Sequence, residues 1–101
     1  MGSFEDPVMA AIEAHRASHA RYRDALSAAE TAPGAASRSE LDRLHAAVDA
    51  AAWALLEVRP VSPEGLMALA TYAGDVVAAG NEWPAGWDQR FYAVIVRWPD
   101  D

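Results

Sequence analysis

Cysteine is absent from the 101 residues, which removes disulfides, thiolate chemistry and the ligand sets of zinc fingers and iron–sulfur clusters. Lysine is absent as well: all eight basic side chains are arginines, set against 15 acidic ones, for a net charge of −7. That balance repels a phosphate backbone, so DNA and RNA are excluded as partners. No apolar run approaches the roughly 20 residues that span a bilayer. The acidic Glu5-Asp6 pair stands where a secretory signal would be basic. The expectation is a soluble, cytoplasmic protein with no membrane association. Also missing are a glycine-rich phosphate loop, a nucleophile elbow and a basic amphipathic helix.

What is present is alanine, 24 residues of it, beside only 29 larger apolar side chains able to bury substantial area. Alanine is the best helix former, and with few β-branched runs it predicts an all-α protein built on close helix contact. The length suits one helical domain over residues 1–101 with a single core.

The segment Ala52–Tyr72 sets the architecture. Leu55, Leu56 and Val58 carry a helix to Arg59, and Pro60 stops it. Ser62 followed by Pro63 then supplies the N-cap and first-turn proline of another. Upstream, Asp6 caps and Pro7 opens a first helix over about 6–30, stopped by Pro33-Gly34. Its positions Val8, Ile12, His15, His19, Tyr22, Leu26 and Ala29 alternate by four and three as a heptad seam. Ser37 and Glu40 fit the capping box of a second helix over 38–59. Leu41, Leu44, Val48, Ala51, Leu55 and Val58 form its seam, with His45, Ala52 and Leu56 on the flank. The short loop between them makes the two a long antiparallel hairpin. A third helix over 63–79 presents Leu66, Leu69, Ala70, Ala73, Val76 and Val77 and ends at a left-handed Gly80-Asn81 cap. The last element, 88–98, has Asp88 as its cap and Phe91, Val94, Ile95 and Trp98 on one face. The helical context favours helix over strand there, despite the β-branched AVIV.

His15 and His19 form an HxxxH pair on one helix face, the spacing that lets two imidazoles reach one metal ion, with His45 toward the inside of the second helix. Folding the hairpin at Pro33-Gly34 sets His45 about five residues, on the order of 7 Å, along the axis from the pair. A three-histidine site would be strained there, the glutamate of zinc proteases is missing, and Arg16 opposes a cation. The favoured reading makes the histidines polar seam residues, hydrogen-bonded to Tyr22, Glu13, Asp49 or a partner chain. Replacing His15 and His19 by leucine should then hold or raise stability. No metal or cofactor is assigned. The alternative is a metal- or small-ligand-binding protein using His15, His19 and His45. Glu5, Asp6, Glu13, Asp42, Asp49 and Glu57 are scattered without a converging pair, so no catalytic residue is assigned and an enzyme is not expected. Asp49, inside AAVDAAAWALL, needs an arginine or histidine partner if buried.

Trp83, Trp87, Phe91, Tyr92 and Trp98 crowd the C-terminal segment and read as a lid over an alanine-rich hairpin rather than as a ligand pocket. Trp53 falls off its seam and must meet the later helices or another chain. The hairpin's apolar surface exceeds what one partner helix covers, so a homodimer is expected. Ile12, His15, His19, Tyr22, Trp53, Trp83 and Trp87 are the interface candidates.

Three stretches, DPVMAAIEAHR at 6–16, AAWALLEVRPVSPEGLMALATYA at 51–73 and EWP at 82–84, together resemble a group of small bacterial proteins from GC-rich genomes. Those proteins carry an EAHR helix, an AWxLL…P(T/S)…G corner and a following AL..YA helix. The resemblance spans about two thirds of the chain. It implies a helical fold and brings no activity, which leaves a protein-interaction or regulatory module as the expected function. Such proteins continue into a further helix after the Trp-Pro step, a feature matched in part by the β-branched segment that ends at WPDD.

Overall fold

The computed structural model describes residues 6–32, 34 and 37–98; Glu5, Pro33 of the expected helix stop and the closing 99–101 lie outside the described residues. Four helices follow one another, α1 (Pro7–Thr31), α2 (Arg38–Glu57), α3 (Pro63–Ala78) and α4 (Trp87–Arg97), with no strand among the described residues. The protein is all-α, and the AVIV stretch is helical.

Local chemistry starts these helices. Asp6 is extended and accepts the Val8 amide, with Pro7 in the first turn. The Ser37 hydroxyl accepts the Glu40 amide at 3.1 Å, and Ser62 accepts the Gly65 amide at 3.0 Å behind Pro63. α3 closes as expected, on a left-handed Gly80. The Gly80 and Asn81 amides return to the carbonyls of Val77 and Val76 at 2.9 and 3.1 Å. Every helix end falls within two residues of the sequence reading, and two of the differences have a local cause. α2 stops at Glu57 with Val58 as its cap, because Pro60 draws the residue before it out of helical conformation. α4 begins at Trp87, capped by a left-handed Gly86 (φ 84°), and Asp88 lies inside its first turn instead of capping it.

Hydrogen bonds between distant residues set the register. The Asp6 Oδ2 accepts the amides of Val61 and Ser62 at 2.8 and 3.0 Å and the Ser62 hydroxyl at 2.8 Å. The N-termini of α1 and α3 therefore lie side by side. Farther along both helices His15 meets Tyr72, and past them Arg23 meets Asn81, so α1 and α3 run parallel. The Trp87 indole N–H donates to the Ala52 carbonyl at 2.6 Å, and that of Trp98 to the Pro60 carbonyl at 2.7 Å, which lays α4 along the second half of α2 in the same direction. With α1 and α2 antiparallel, the chain runs up, down, up, down.

Val8, Ile12, Ala52, Leu55, Leu56, Leu69, Tyr72, Ala73 and Trp87 form the core, at the end where all four helices meet. Beyond it the hairpin projects alone. The radius of gyration is 15.4 Å, against about 13 Å for a compact chain of this length. Burial along the α1 seam decays accordingly: Val8, Ile12 and His15 are buried, His19 and Tyr22 half-buried, and Leu26 is 36% exposed. On α2 the flank residues Ala52 and Leu56 go deeper than Leu41, Leu44 or Ala51, since α4 covers that side; His45 is exposed. α3 turns Tyr72 and Ala73 inward with Leu69 and leaves Ala70 and Val77 outside, and on α4 Ile95 is outside while Trp87 is buried.

Candidate functional site

The three histidines line one cavity of about 210 Å³ where the projecting hairpin leaves the core. α1 presents His15, His19 and Tyr22 on successive turns, and α2 presents His45, Val48 and Asp49. Val76 of α3 and the segment Asn81–Pro84 close the far wall. Sequence spacing finds the histidines, Tyr22 and Asp49. It does not find Asn81, Glu82 or Pro84, which arrive only through the parallel register of α1 and α3.

His15 is 2% exposed, and its Nδ1 lies 2.6 Å from the Tyr72 hydroxyl. Burial, and secondarily the neighbouring His19, push its pKa down to about 4, so the ring is neutral. Burial also raises the Tyr72 phenol, a shift that Arg16 opposes and Glu13 assists. A base pushed down and an acid pushed up resist proton transfer, so this pair is a structural hydrogen bond at neutral pH. Arg16 is paired to Glu13, and its guanidinium sits 5.1 Å from the Tyr72 ring centre.

His19 stacks on His15 with centroids 6.0 Å apart and planes within 7°. Burial and then Arg23 lower its pKa, while the Asn81 side chain works the other way. Arg23 in turn holds the Asn81 oxygen at 3.3 Å. His45 presents its Nδ1 to the Asp49 carboxylate at 3.6 Å, and its ring meets that of Tyr22 in a T-shaped arrangement with centroids 5.2 Å apart. Asp49 thus has the histidine partner its setting calls for, half-exposed rather than buried. One Nδ1 is committed to Tyr72 and another faces Asp49. Among the described residues no three His, Asp or Glu side chains gather as a metal ligand set.

An aromatic stack continues from the cavity into the core. His15 lies 4.8 Å from Trp83, Trp83 stacks on Trp87 at 3.9 Å, and Trp87 on Phe91 at 5.1 Å. The Trp83 indole donates to the Ala73 carbonyl at 3.2 Å. The C-terminal tryptophans are therefore a lid stitched to α2, α3 and the corner between them. This corrects the interface reading for Ile12, His15 and Trp87, which are buried within the chain. Trp83 is half-buried in the stack, His19 and Tyr22 are half-buried in the cavity wall, and Trp53 is 36% exposed.

Chemically, the cavity offers three imidazoles, two carboxylates, a phenol and an amide against a wall of valine and proline. It can hold a small polar molecule by hydrogen bonds. No helix among the described residues is long and apolar enough to cross a membrane. No protein-family model matches the chain, and neither does any curated protein or any solved structure.

Proposed function

We propose that the protein is a helical interaction module that works through protein contacts as a homodimer, not through catalysis. Uncovered apolar surface on the helices carries this reading. Tyr92, Ile95 and Val96 form a second apolar stripe on α4, outside the one spent on α2, and Met67 and Val77 stand out from α3. A chain with so few large apolar side chains leaves these exposed only at a cost to solubility that a partner relieves. The bacterial and cytoplasmic setting expected from the sequence belongs to the same proposal. Sedimentation equilibrium at concentrations on the order of 10–100 μM tests it, in the range where modest interfaces associate. A dimer is the expected result, and a monomer throughout removes the reading.

A second reading, ligand binding at the histidine cavity, draws on the placement of His15, His19 and His45 along one cavity. Elemental analysis and native mass spectrometry of untagged protein decide it. A stoichiometric metal or small molecule, lost on His19→Ala with His45→Ala, would move the assignment to that site.

A further inference from the structure

The hairpin outruns the layer that covers it. α3 starts beside the start of α1, and Asn81 beyond its end reaches Arg23, so α1 continues for eight residues, about 12 Å, past that level. α4 lies along the second half of α2 only, between Ala52 and Pro60. The far half of the hairpin is not a polar surface. Tyr22, Leu26 and Leu41 line an open depression of about 500 Å³ there, with Arg38, Asp42 and His45 around it. Leu26 is also shared with a second depression on the next side of α1, which Arg23 and Glu30 line.

The charges of this face are arranged symmetrically about one level. On α1, Arg23 and Glu30 lie equally far from the level between 26 and 27, at a spacing that keeps them on the face of Leu26. On α2, Arg38 and Asp42 stand on either side of level 40. The two helices run antiparallel, Tyr22 meets His45, and Leu26 and Leu41 share the depression, so both midpoints fall within one residue of the same height on the hairpin. Among the described residues none of the four is in an ion pair, and Arg23 makes an exposed hydrogen bond to Asn81.

We propose that two copies join hairpin to hairpin, each laying the far half of its hairpin on the uncovered face of the other, about a two-fold axis at the level of Leu26 and Leu41. α1 then runs antiparallel to α1 of the second copy, and α2 to its α2. An axis at that level sets each Arg23 opposite a Glu30, and each Arg38 opposite an Asp42, of the other copy, around a centre of Leu26 and Leu41. The two α3–α4 layers sit at opposite ends of the pair and leave the overlap free. The outer stripe of α4 closes no such pair, because Asp88 lies on it and Arg90 and Arg97 lie on the far flank. An overlap of about two turns per helix is small, which fits association at tens of micromolar. The inference rests on the self-association proposed above and specifies its surface.

Charge reversal tests it. The pair R23E/R38E leaves only carboxylates at the four positions, and the pair E30R/D42R leaves only guanidiniums. All four residues are exposed, and circular dichroism checks that each variant keeps its helices. Each variant should raise the dimer dissociation constant, read by sedimentation equilibrium, about tenfold or more. Turning a carboxylate into a guanidinium adds two charges, so E30R/D42R takes the net charge from −7 to −3 and its loss of dimer cannot come from general repulsion. The fourfold exchange R23E/E30R/R38D/D42R keeps opposite signs across the axis and should dimerise as the wild type does. A wild-type protein that stays monomeric overturns self-association itself. A wild-type dimer that survives in both double variants, or an exchanged variant that keeps its helices and stays monomeric, overturns this interface and leaves self-association standing. Loss of the dimer in Tyr92→Glu with Val96→Glu, and in neither double variant of the hairpin, would assign it to the outer stripe of α4 instead.

Discussion

At the scale of single residues, Asp6 does the most with the fewest atoms. It caps α1, and its second oxygen gathers the Val61 and Ser62 amides and the Ser62 hydroxyl, so one carboxylate fixes the start of two helices. Burial pushes its pKa up, but the bonds from Val8, Ser62 and Val61 outweigh it, and the carboxyl is held below its ordinary value. Asp6→Ala should cost about 2–4 kcal/mol in urea unfolding, since it removes a cap and leaves two further amides without their partner. Gly65 gives a sharper check. A Cβ there would overlap the Asp6 carboxylate, so Gly65→Ala should destabilise the native chain. In an Asp6→Ala background the carboxylate is gone and only the retained Cβ at 3.1 Å must give by a few tenths of an ångström, so the same change should cost much less. Equal costs in both backgrounds would show that the carboxylate is not pinned there. The His15–Tyr72 bond revises the expectation that leucine is harmless at position 15. His15→Leu strands a buried hydroxyl and should cost roughly 1–3 kcal/mol, while His15→Leu with Tyr72→Phe removes both partners and should recover most of it. Additive costs in that cycle would mean that the two side chains do not act as a pair.

At the scale of elements, what could be read from the sequence was what is encoded within a few neighbouring residues. Ser37, Ser62, Pro63 and Gly80 each act on amides or carbonyls within one helical turn, so those boundaries could be placed from local chemistry. Asp88 misled because a left-handed Gly86 offers the backbone an earlier start than a side-chain cap. The faces of α3 and α4 were only partly legible. Tyr72 turns inward because His15, 57 positions away, supplies a buried partner for its hydroxyl, and no period in α3 announces that. The histidine cavity shows the same limit: His15, His19 and His45 were visible by spacing, whereas Asn81 and Glu82 depend on how α3 docks. The aromatic segment was legible as a lid, but not the backbone carbonyls that its indoles find. Those bonds rank the tryptophans. Trp87 is fully enclosed and bonded at 2.6 Å, while Trp98 is half-buried and bonded at 2.7 Å. Trp98→Phe should cost about 1 kcal/mol for its hydrogen bond, and Trp87→Phe roughly 2–4 kcal/mol for hydrogen bond plus cavity. Equal losses, measured by thermal unfolding, would mean that the lid is not closed at Trp87.

At the scale of the whole molecule, a small core shared by four helices meets two buried titratable groups whose pKa values both move against acid. His15 stays neutral in the fold to about pH 4 but takes up a proton near 6.5 when unfolded. Between those values the unfolded chain binds more protons, so stability rises with pH: the contribution is complete above about 6.5 and disappears as pH falls toward 4. A shift of that size is worth up to about 3 kcal/mol. His19, also lowered, adds in the same direction. Asp6, held below its ordinary value, contributes stability above 3.8 that is lost as pH falls through its folded pKa, so it acts in a second, more acidic window. The raised Tyr72 works at the other end, since its folded state keeps a proton that the unfolded chain gives up from about pH 10 upward. Urea midpoints should therefore hold between pH 7 and 9, fall between 6.5 and 4, and fall again below that. In the His15→Leu, Tyr72→Phe chain the first fall should shrink while the second remains, because Asp6 is untouched. A first fall of undiminished depth in that variant would transfer the acid sensitivity from the buried histidine to the surface charges of an already acidic molecule, and a first fall abolished together with the second would tie both to the junction of α1 and α3.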